Sequence, residues 1–323
     1  MVGIKAERGK GTAHGRLNTF FKGIGKQIDL QLMVIPSILI IILFSYIPMY
    51  GILMAFQEFQ LGDFPGLSKW EGLQQFSVLF NDPNFSTVLR NTVVISMLKL
   101  IICFPVPIML AVMLNEVTNA PFKKSVQTIS YLPHFISWVV GATLLFDFFS
   151  ADNGAVNSAL KAFGWIKSPI MFFGKGEYFW AMAVVTDLWK ELGWNAIIFI
   201  AAITSIDSEM YEAADIDGAG RYAKMWHITI ATIRPTIVLL FILTVGNLLN
   251  ANFDQIMLLT NQMGNAMLRS YADVIDTYVY RMGIRDGRFS YAAAAGLFKA
   301  VINFALLLGA NYLAGKVGDN ALF

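Results

Sequence analysis

Residues 32–56 read LMVIPSILIIILFSYIPMYGILMAF, without one Asp, Glu, Lys or Arg. A helix needs about 20 mostly apolar residues to cross the hydrocarbon core of a bilayer, and this stretch is long enough. Some thirty residues precede it and no small-residue cleavage site follows, so it reads as a retained transmembrane helix and not as a removed signal peptide. Working outward, five more stretches of membrane length follow, at 88–114, 126–149, 178–203, 236–260 and 291–314. They leave little chain for a soluble domain. The composition of the 323 residues agrees: 56% are hydrophobic and 14% charged, with a mean hydropathy of +0.57. The expected fold is an all-α polytopic membrane protein with six transmembrane helices, flanked by tails at 1–30 and 316–323.

Orientation follows from charge. Lys5, Arg8, Lys10, Arg16, Lys22 and Lys26 precede the first span against only Glu7 and Asp29, which places the N-terminus in the cytoplasm. Six crossings return the C-terminus, with Lys316, to the same side. Lys123, Lys124, Arg221, Lys224 and Arg234 then also fall inside, whereas Arg269, Arg281, Arg285 and Arg288 would lie outside as a counterweight. The segments 57–87 and 150–177 become outer loops, rich in Gly and Pro and therefore in turns, with Trp70 suited to the headgroup boundary. Pro36, Pro48, Pro105 and Pro107 each remove a backbone donor within a span and predict kinks.

Between the fourth and fifth spans runs Tyr211-Glu212-Ala213-Ala214-Asp215-Ile216-Asp217-Gly218-Ala219, within a polar loop at 205–235. Glu212, Ala213 and Ala214 favour a helix that Asp207 or Ser208 can cap, and Gly218 permits the positive φ that ends it. A second short helix is expected from about Gly220 to His227. Such a helix-turn-helix has the form of a docking surface.

Ionisable groups at membrane depth usually face a cavity or a partner. Asp187 and Glu191 share a face of the fourth span, with Lys190 placed to pair with Asp187 across one turn. Trp194 and Asn195 follow, and an indole beside hydrogen-bonding groups suits a sugar; a structural charge cluster is the alternative. Asn247, Asn250, Asn252 and Asp254 make the fifth span too polar for lipid. Asn247 and Asn250, with Lys299 and Asn303 on the last span, are candidates to line a wet pathway, although interhelical hydrogen bonding would use the same residues. Lys99 reads as a snorkelling or packing residue. Cys103, the single cysteine, forms no internal disulfide.

No catalytic or metal-binding pattern accompanies these groups. His14, His134 and His227 lie far apart, and Gly9-Lys10-Gly11-Thr12 lacks the spacing of a phosphate-binding loop. ATP, if it drives the process, binds to another chain.

The spacing of Glu212-Ala213-Ala214, Gly218 and Ile228 resembles the cytoplasmic signature of the permease subunits of bacterial binding-protein-dependent ABC importers. Tyr131-Leu132-Pro133-His134-Phe135-Ile136-Ser137-Trp138-Val139, Asn115-Glu116-Val117 and Trp189-Lys190-Glu191-Leu192-Gly193-Trp194-Asn195 resemble its complex-oligosaccharide branch, and within it the importers of alginate- or pectin-derived sugars. The likeness extends over nearly the whole chain from about residue 30. One departure stands out: Thr229-Ile230-Ala231 replaces the usual continuation through Leu-Pro, so the pattern does not fix where the second short helix ends.

The resemblance implies a permease domain over 31–315 in the bacterial inner membrane. It implies a second homologous permease as heterodimer partner, two ATPase domains that bind ATP and Mg, and an extracytoplasmic solute-binding protein that delivers the oligosaccharide. Glu212, Ala213, Ala214, Asp217 and Gly218 would be the ATPase-coupling positions, and no cofactor or nucleic acid is implied for this chain. The residues alone also fit an ion- or proton-coupled secondary transporter, which places carboxylates such as Asp187 and Glu191 at depth.

Overall fold

The computed structural model describes residues 28–316. The basic N-terminal cluster, the Gly9–Thr12 segment, His14 and the C-terminal tail after Lys316 lie outside the described residues. Helix α1 (Ile28–Ile41) carries the first apolar stretch, widens into a π-helical turn at Ile42–Tyr46 and tightens into a 3₁₀ helix at Ile47–Phe56. The winding changes between Pro36 and Pro48, each of which lacks the amide that a regular ladder uses. The chain to Leu53 forms one unit and the chain from Met54 a second.

In the second unit, the segment after Phe56 turns repeatedly, with positive φ at Gly62, Gly66 and Gly72. One isolated antiparallel bridge joins Gln57 and Trp70; no β-strand occurs among the described residues. After α2 (Gln74–Asn81), Asp82 caps α3 (Pro83–Ile102) by accepting from the Asn84 amide at 2.9 Å, with Pro83 in the first helical position. The helix breaks at Cys103–Phe104 and restarts at Pro105 as α4 (Pro105–Asn115).

The third stretch is not the continuous span that its hydropathy predicts. Helix α5 (Ala120–Tyr131) tightens into a 3₁₀ turn at Leu132–Phe135, and α6 (Trp138–Phe149) leaves at 109° to it. Pro133 removes an amide donor, Ile136 is extended, and the Ser137 hydroxyl accepts from Val140 N at 3.4 Å to begin a new helix. Apolar residues on both sides hide this break from a hydropathy reading.

After α7 (Ala155–Ala162) comes α8 (Phe179–Thr204), whose 26 residues include Asp187, Lys190 and Glu191. Helices α9 (Ser208–Ile216) and α10 (Arg221–Lys224) follow. The second is not a separate short helix ending near His227: through a wide turn at Met225–Ile230 it continues directly into α11 (Ala231–Gly246). With no proline at Ile230 or Ala231, nothing interrupts the ladder there. The fifth stretch also ends earlier than expected. Residues 247–252 leave the helix, and α12 (Phe253–Leu259) starts after Asn252, which takes φ +69°. The polar run therefore lies on a break rather than on one helix face. Helices α13 (Ala266–Ala272), α14 (Ile275–Tyr280) and α15 (Phe289–Lys316) complete the described chain. Among the described residues, four helices are long and apolar enough to cross a membrane, or five spans if the bent α5–α6 pair is one.

Three apolar clusters hold the second unit together. Ile95, Phe179, Ile256 and Leu268 join α3, α8, α12 and α13; Leu79, Phe85, Tyr278 and Tyr291 join α2, α3, α14 and α15; Val112, Phe199 and Ile233 join α4, α8 and α11. Helix α8 approaches α5 so closely that a Cβ at Gly193 would lie 2.2 Å from the Ser130 carbonyl oxygen.

Candidate functional site: a polar-lined cavity and an exposed hairpin

Helices α3, α4, α8 and α11 and the break after α11 line an open cavity of about 520 Å³. Leu100, Phe104, Ile198, Phe199, Leu240 and Leu243 are among its apolar lining residues; Lys99, Asp187, Glu191, Asn195, Asn247 and Asn250 are among its polar ones. Such a mixed lining matches the two kinds of surface on a sugar, whose C–H faces pack on apolar groups while its hydroxyls require donors and acceptors.

Asp187 and Glu191 both line the cavity, as their spacing on one helix face predicts, but neither is bare. Lys99 Nζ lies 2.9 Å from Asp187 Oδ1, with both side chains mostly buried. The ammonium also donates to Gln255 Oε1 at 2.6 Å and to Ala251 O at 3.3 Å. This corrects the reading of Lys99 as a snorkelling or packing residue. It stands sixteen residues into α3, about 24 Å along the helix from Pro83, and meets a carboxylate instead of reaching the interface.

The expected Lys190–Asp187 pair is also replaced. Lys190 is 5% exposed; its ammonium donates to His134 O at 2.7 Å and stands 3.4 Å from Glu191 Oε1. The turn at Leu132–Phe135 leaves carbonyls without helical partners, and Lys190 satisfies one of them. His134 Nδ1 lies 2.7 Å from Glu191 Oε2, and the imidazole stacks on Trp194 with ring centroids 4.1 Å apart.

Of the six residues read as pathway candidates, Asn195, Asn247 and Asn250 line the cavity. Trp194 packs against His134 instead. Lys299 on α15 pairs with Asp276 on α14. Asn303 Oδ1 accepts from Leu249 N at 3.0 Å and so fastens the break to α15. Gln255, which sequence reasoning passed over, is fully buried. Its amide donates to Ala183 O and Thr186 Oγ1 at 2.6 and 2.8 Å, aiming Oε1 at Lys99.

The signature segment forms a compact hairpin. Asp207 caps α9 by accepting from Glu209 N at 3.0 Å. At its other end Ala219 N donates to Ala214 O and Gly218 N to Asp215 O, with Gly218 at φ +75°; this paired arrangement around a left-handed residue is a Schellman stop. Lys224 Nζ meets Asp215 at 2.6 Å, and the Tyr211 and Thr229 hydroxyls lie 2.9 Å apart, so the two arms are held together. Arg221 Nε meets Glu116 at 2.6 Å, tying the hairpin to the α4–α5 loop. Glu212, Ala213, Asp217 and Gly218 are exposed, with Ala214 half-buried. Ile216 and Tyr222 present apolar side chains that are 87% and 81% exposed.

Residues 103–319 match the family model described as the inner membrane component of binding-protein-dependent transport systems. The chain belongs to this family. Among relatives of the permease, Protein LplB of Bacillus subtilis strain 168 is 43% identical, with 91% of each chain covered. The polygalacturonan/rhamnogalacturonan transport system permease protein YteP of the same organism is 45% identical over 92% of this chain and 91% of its own. A crystal structure of a bacterial ABC transporter involved in import of the acidic polysaccharide alginate contains a chain of TM-score 0.84 and 37% identity, covering 93% of this permease and 99% of that chain. The family match starts at Cys103, so it takes in α4, α8 and α11 of the cavity wall. Lys99 stands just before it.

Gly218 offers a clean test of the hairpin, because a Cβ there would meet nothing within 4 Å. Gly218→Ala should therefore act through backbone strain alone, costing about 1 kcal/mol locally. The purified permease should keep its global melting temperature while protease cleavage within 208–220 accelerates. Unchanged cleavage would show that the turn tolerates a side chain.

Proposed function

We propose that the permease is one membrane half of an ATP-driven importer that carries acidic oligosaccharides, of the uronic-acid type, across the bacterial inner membrane. It pairs with a second homologous permease and two ATPase domains, and receives its cargo from an extracytoplasmic binding protein. Six crossings place both termini and the α9–α10 hairpin in the cytoplasm; α8, despite its charges, and the bent α5–α6 pair each make one of them. In this reading the hairpin, through Glu212, Ala213, Ala214, Asp217 and Gly218, docks on an ATPase, and ATP-driven closure of the ATPases alternates the access of the cavity. No cofactor is held by this chain; ATP and Mg belong to the ATPases.

The observation that carries the reading is the cavity, lined by both polar and apolar side chains in a chain of this family. Its carboxylates do not present bare charge to an acidic sugar, since Asp187 meets Lys99 and Glu191 is flanked by Lys190 and His134. The relatives support the substrate class: the name of one concerns polygalacturonan and rhamnogalacturonan, and the related crystal structure concerns alginate. A second such structure holds an alginate pentasaccharide-bound periplasmic protein.

The test is uptake of labelled oligogalacturonate, alginate oligosaccharide and a neutral oligosaccharide of equal length into proteoliposomes containing the full complex and its binding protein. Uptake of the acidic sugars should require ATP and survive dissipation of every ion gradient. Uptake driven by an ion gradient without ATP would instead support the secondary-transporter reading.

Topology has its own check. In a Cys103→Ala background, a membrane-impermeant thiol reagent applied outside should label Lys69→Cys and Lys167→Cys but not Glu209→Cys; all three positions are exposed. External labelling of Glu209→Cys would remove the hairpin from the cytoplasm and the coupling role with it. In the assembled complex, Glu212→Ala should lower stimulation of ATP hydrolysis by loaded binding protein, because it deletes a charge at the proposed interface. Wild-type stimulation would reject the docking role of Glu212.

A further inference from the structure

We propose that the break between α11 and α12 builds a monovalent-cation site that the Lys99 ammonium fills permanently, and that this tethered cation keeps the transport cycle independent of ions. The inference rests on the permease reading above and addresses a separate property of it.

The cage has three oxygens of different origin: a carboxylate oxygen, Asp187 Oδ1; a backbone carbonyl, Ala251 O; and a side-chain carbonyl, Gln255 Oε1. Unwound carbonyls beside a carboxylate at a helix break are the kind of ligand set that binds alkali cations in membrane proteins. Each oxygen is held from behind. Gln255 cannot rotate its amide without losing its bonds to Ala183 O and Thr186 Oγ1. The backbone beside Ala251 O is held through the Ala251 N–H of the preceding peptide unit, which donates to Asp276 Oδ2 at 3.3 Å, while Asp276 pairs with Lys299. Asn252 caps α12 and sends its amide toward Asp187 Oδ1 at 3.4 Å. An ammonium has three N–H donors, and the cage offers three acceptors, so Lys99 leaves none of its donors unused. Ammonium and potassium are close in size, so removing the lysine side chain leaves a cage of suitable charge and dimensions, open to the cavity that Lys99 and Asp187 both line.

The experiment compares wild type, Lys99→Ala and the double variant Lys99→Ala/Asp187→Asn, each purified as the full complex in potassium chloride. ATP-driven uptake and melting temperature are then measured in potassium, methylammonium or N-methylglucamine chloride at equal ionic strength. N-methylglucamine is too large for the cage. The wild type should show the same uptake and melting temperature in all three media. Lys99→Ala should take up substrate at least about fivefold faster, and melt at a higher temperature, in potassium or methylammonium than in N-methylglucamine, because an uncompensated carboxylate at depth is strongly disfavoured. The double variant, with no charge to neutralise, should again be indifferent to the cation. Cation indifference of Lys99→Ala in both measurements would overturn the proposal, as would a Lys99→Ala complex that cannot be recovered even with potassium or methylammonium. Cation dependence of the wild type would overturn it too. The importer reading fails by a different result, uptake that needs no ATP.

Discussion

Gly193→Leu should abolish recovery of a folded permease from the membrane. At this position α8 meets the backbone of α5, and even a methyl group would stand 2.2 Å from Ser130 O and 2.4 Å from its carbonyl carbon. The obstruction is main chain, so no rotamer change relieves it, and the two helices must separate. That separation would pull the Leu132–Phe135 turn away from α8, detaching Lys190 from His134 O and His134 from Glu191. Gly193→Ala should be the milder member of the series, destabilising by roughly 1–3 kcal/mol, as overpacking in a tight core does. Yield and melting temperature after detergent extraction provide the measurement, with Gly309→Ala as the control, since a Cβ at Gly309 would meet nothing within 4 Å. Equal recovery of Gly193→Leu and the control would mean that α5 and α8 do not approach as described.

Lys190→Met should be the second severe substitution. It keeps most of the side-chain volume and removes one charge, so its effect isolates electrostatics from packing. The buried ammonium satisfies His134 O, opposes Glu191 and lies over the Trp138 ring at 5.6 Å, joining both sides of the α5–α6 bend to α8. Loss of one partner of a buried ionic contact costs about 3–5 kcal/mol, because the remaining charge stays desolvated. The melting temperature should therefore fall sharply, and Lys190→Met/Glu191→Gln should recover part of the loss by removing a carboxylate that has lost its lysine and keeps the contact with His134. No recovery in the double variant would locate the effect in the bond to His134 O alone.

Local chemistry was legible in the sequence to the extent that it was local. Asp207 caps α9 and Gly218 takes a positive φ because both requirements arise within one turn of chain. The membrane-length helices were likewise visible, since hydropathy is a property of a continuous window. The breaks were not. The α5–α6 bend is set by Pro133 and Ser137 amid apolar residues, and the end of α11 at Gly246 is fixed partly by Asn303, which binds Leu249 N from a distant helix. The charge partners were misread for the same reason. Lys190 sits one turn from Asp187, but the bend exposes a carbonyl nearer to its ammonium, and Asp187 is claimed by Lys99 from 88 positions away. A signal was present in Lys99 itself: a lysine about 24 Å from the start of its helix is too deep for a side chain that must reach water. Trp194 suited a sugar by composition; the structure adds that one face of its ring stacks on His134.

The direct continuation of α10 into α11 makes Arg221–Gly246 a single 26-residue rod from the hairpin to the rim of the cavity. At 1.5 Å per residue it is about 39 Å long. If it moved as one body in the proposed cycle, a helix of this length would act as a lever: a tilt of only about 5° at Arg221 would sweep Gly246 sideways by roughly 3 Å, enough to change the width of a passage one sugar ring across. In the proposed cycle, small angular play at one end would thus become a gating stroke at the other.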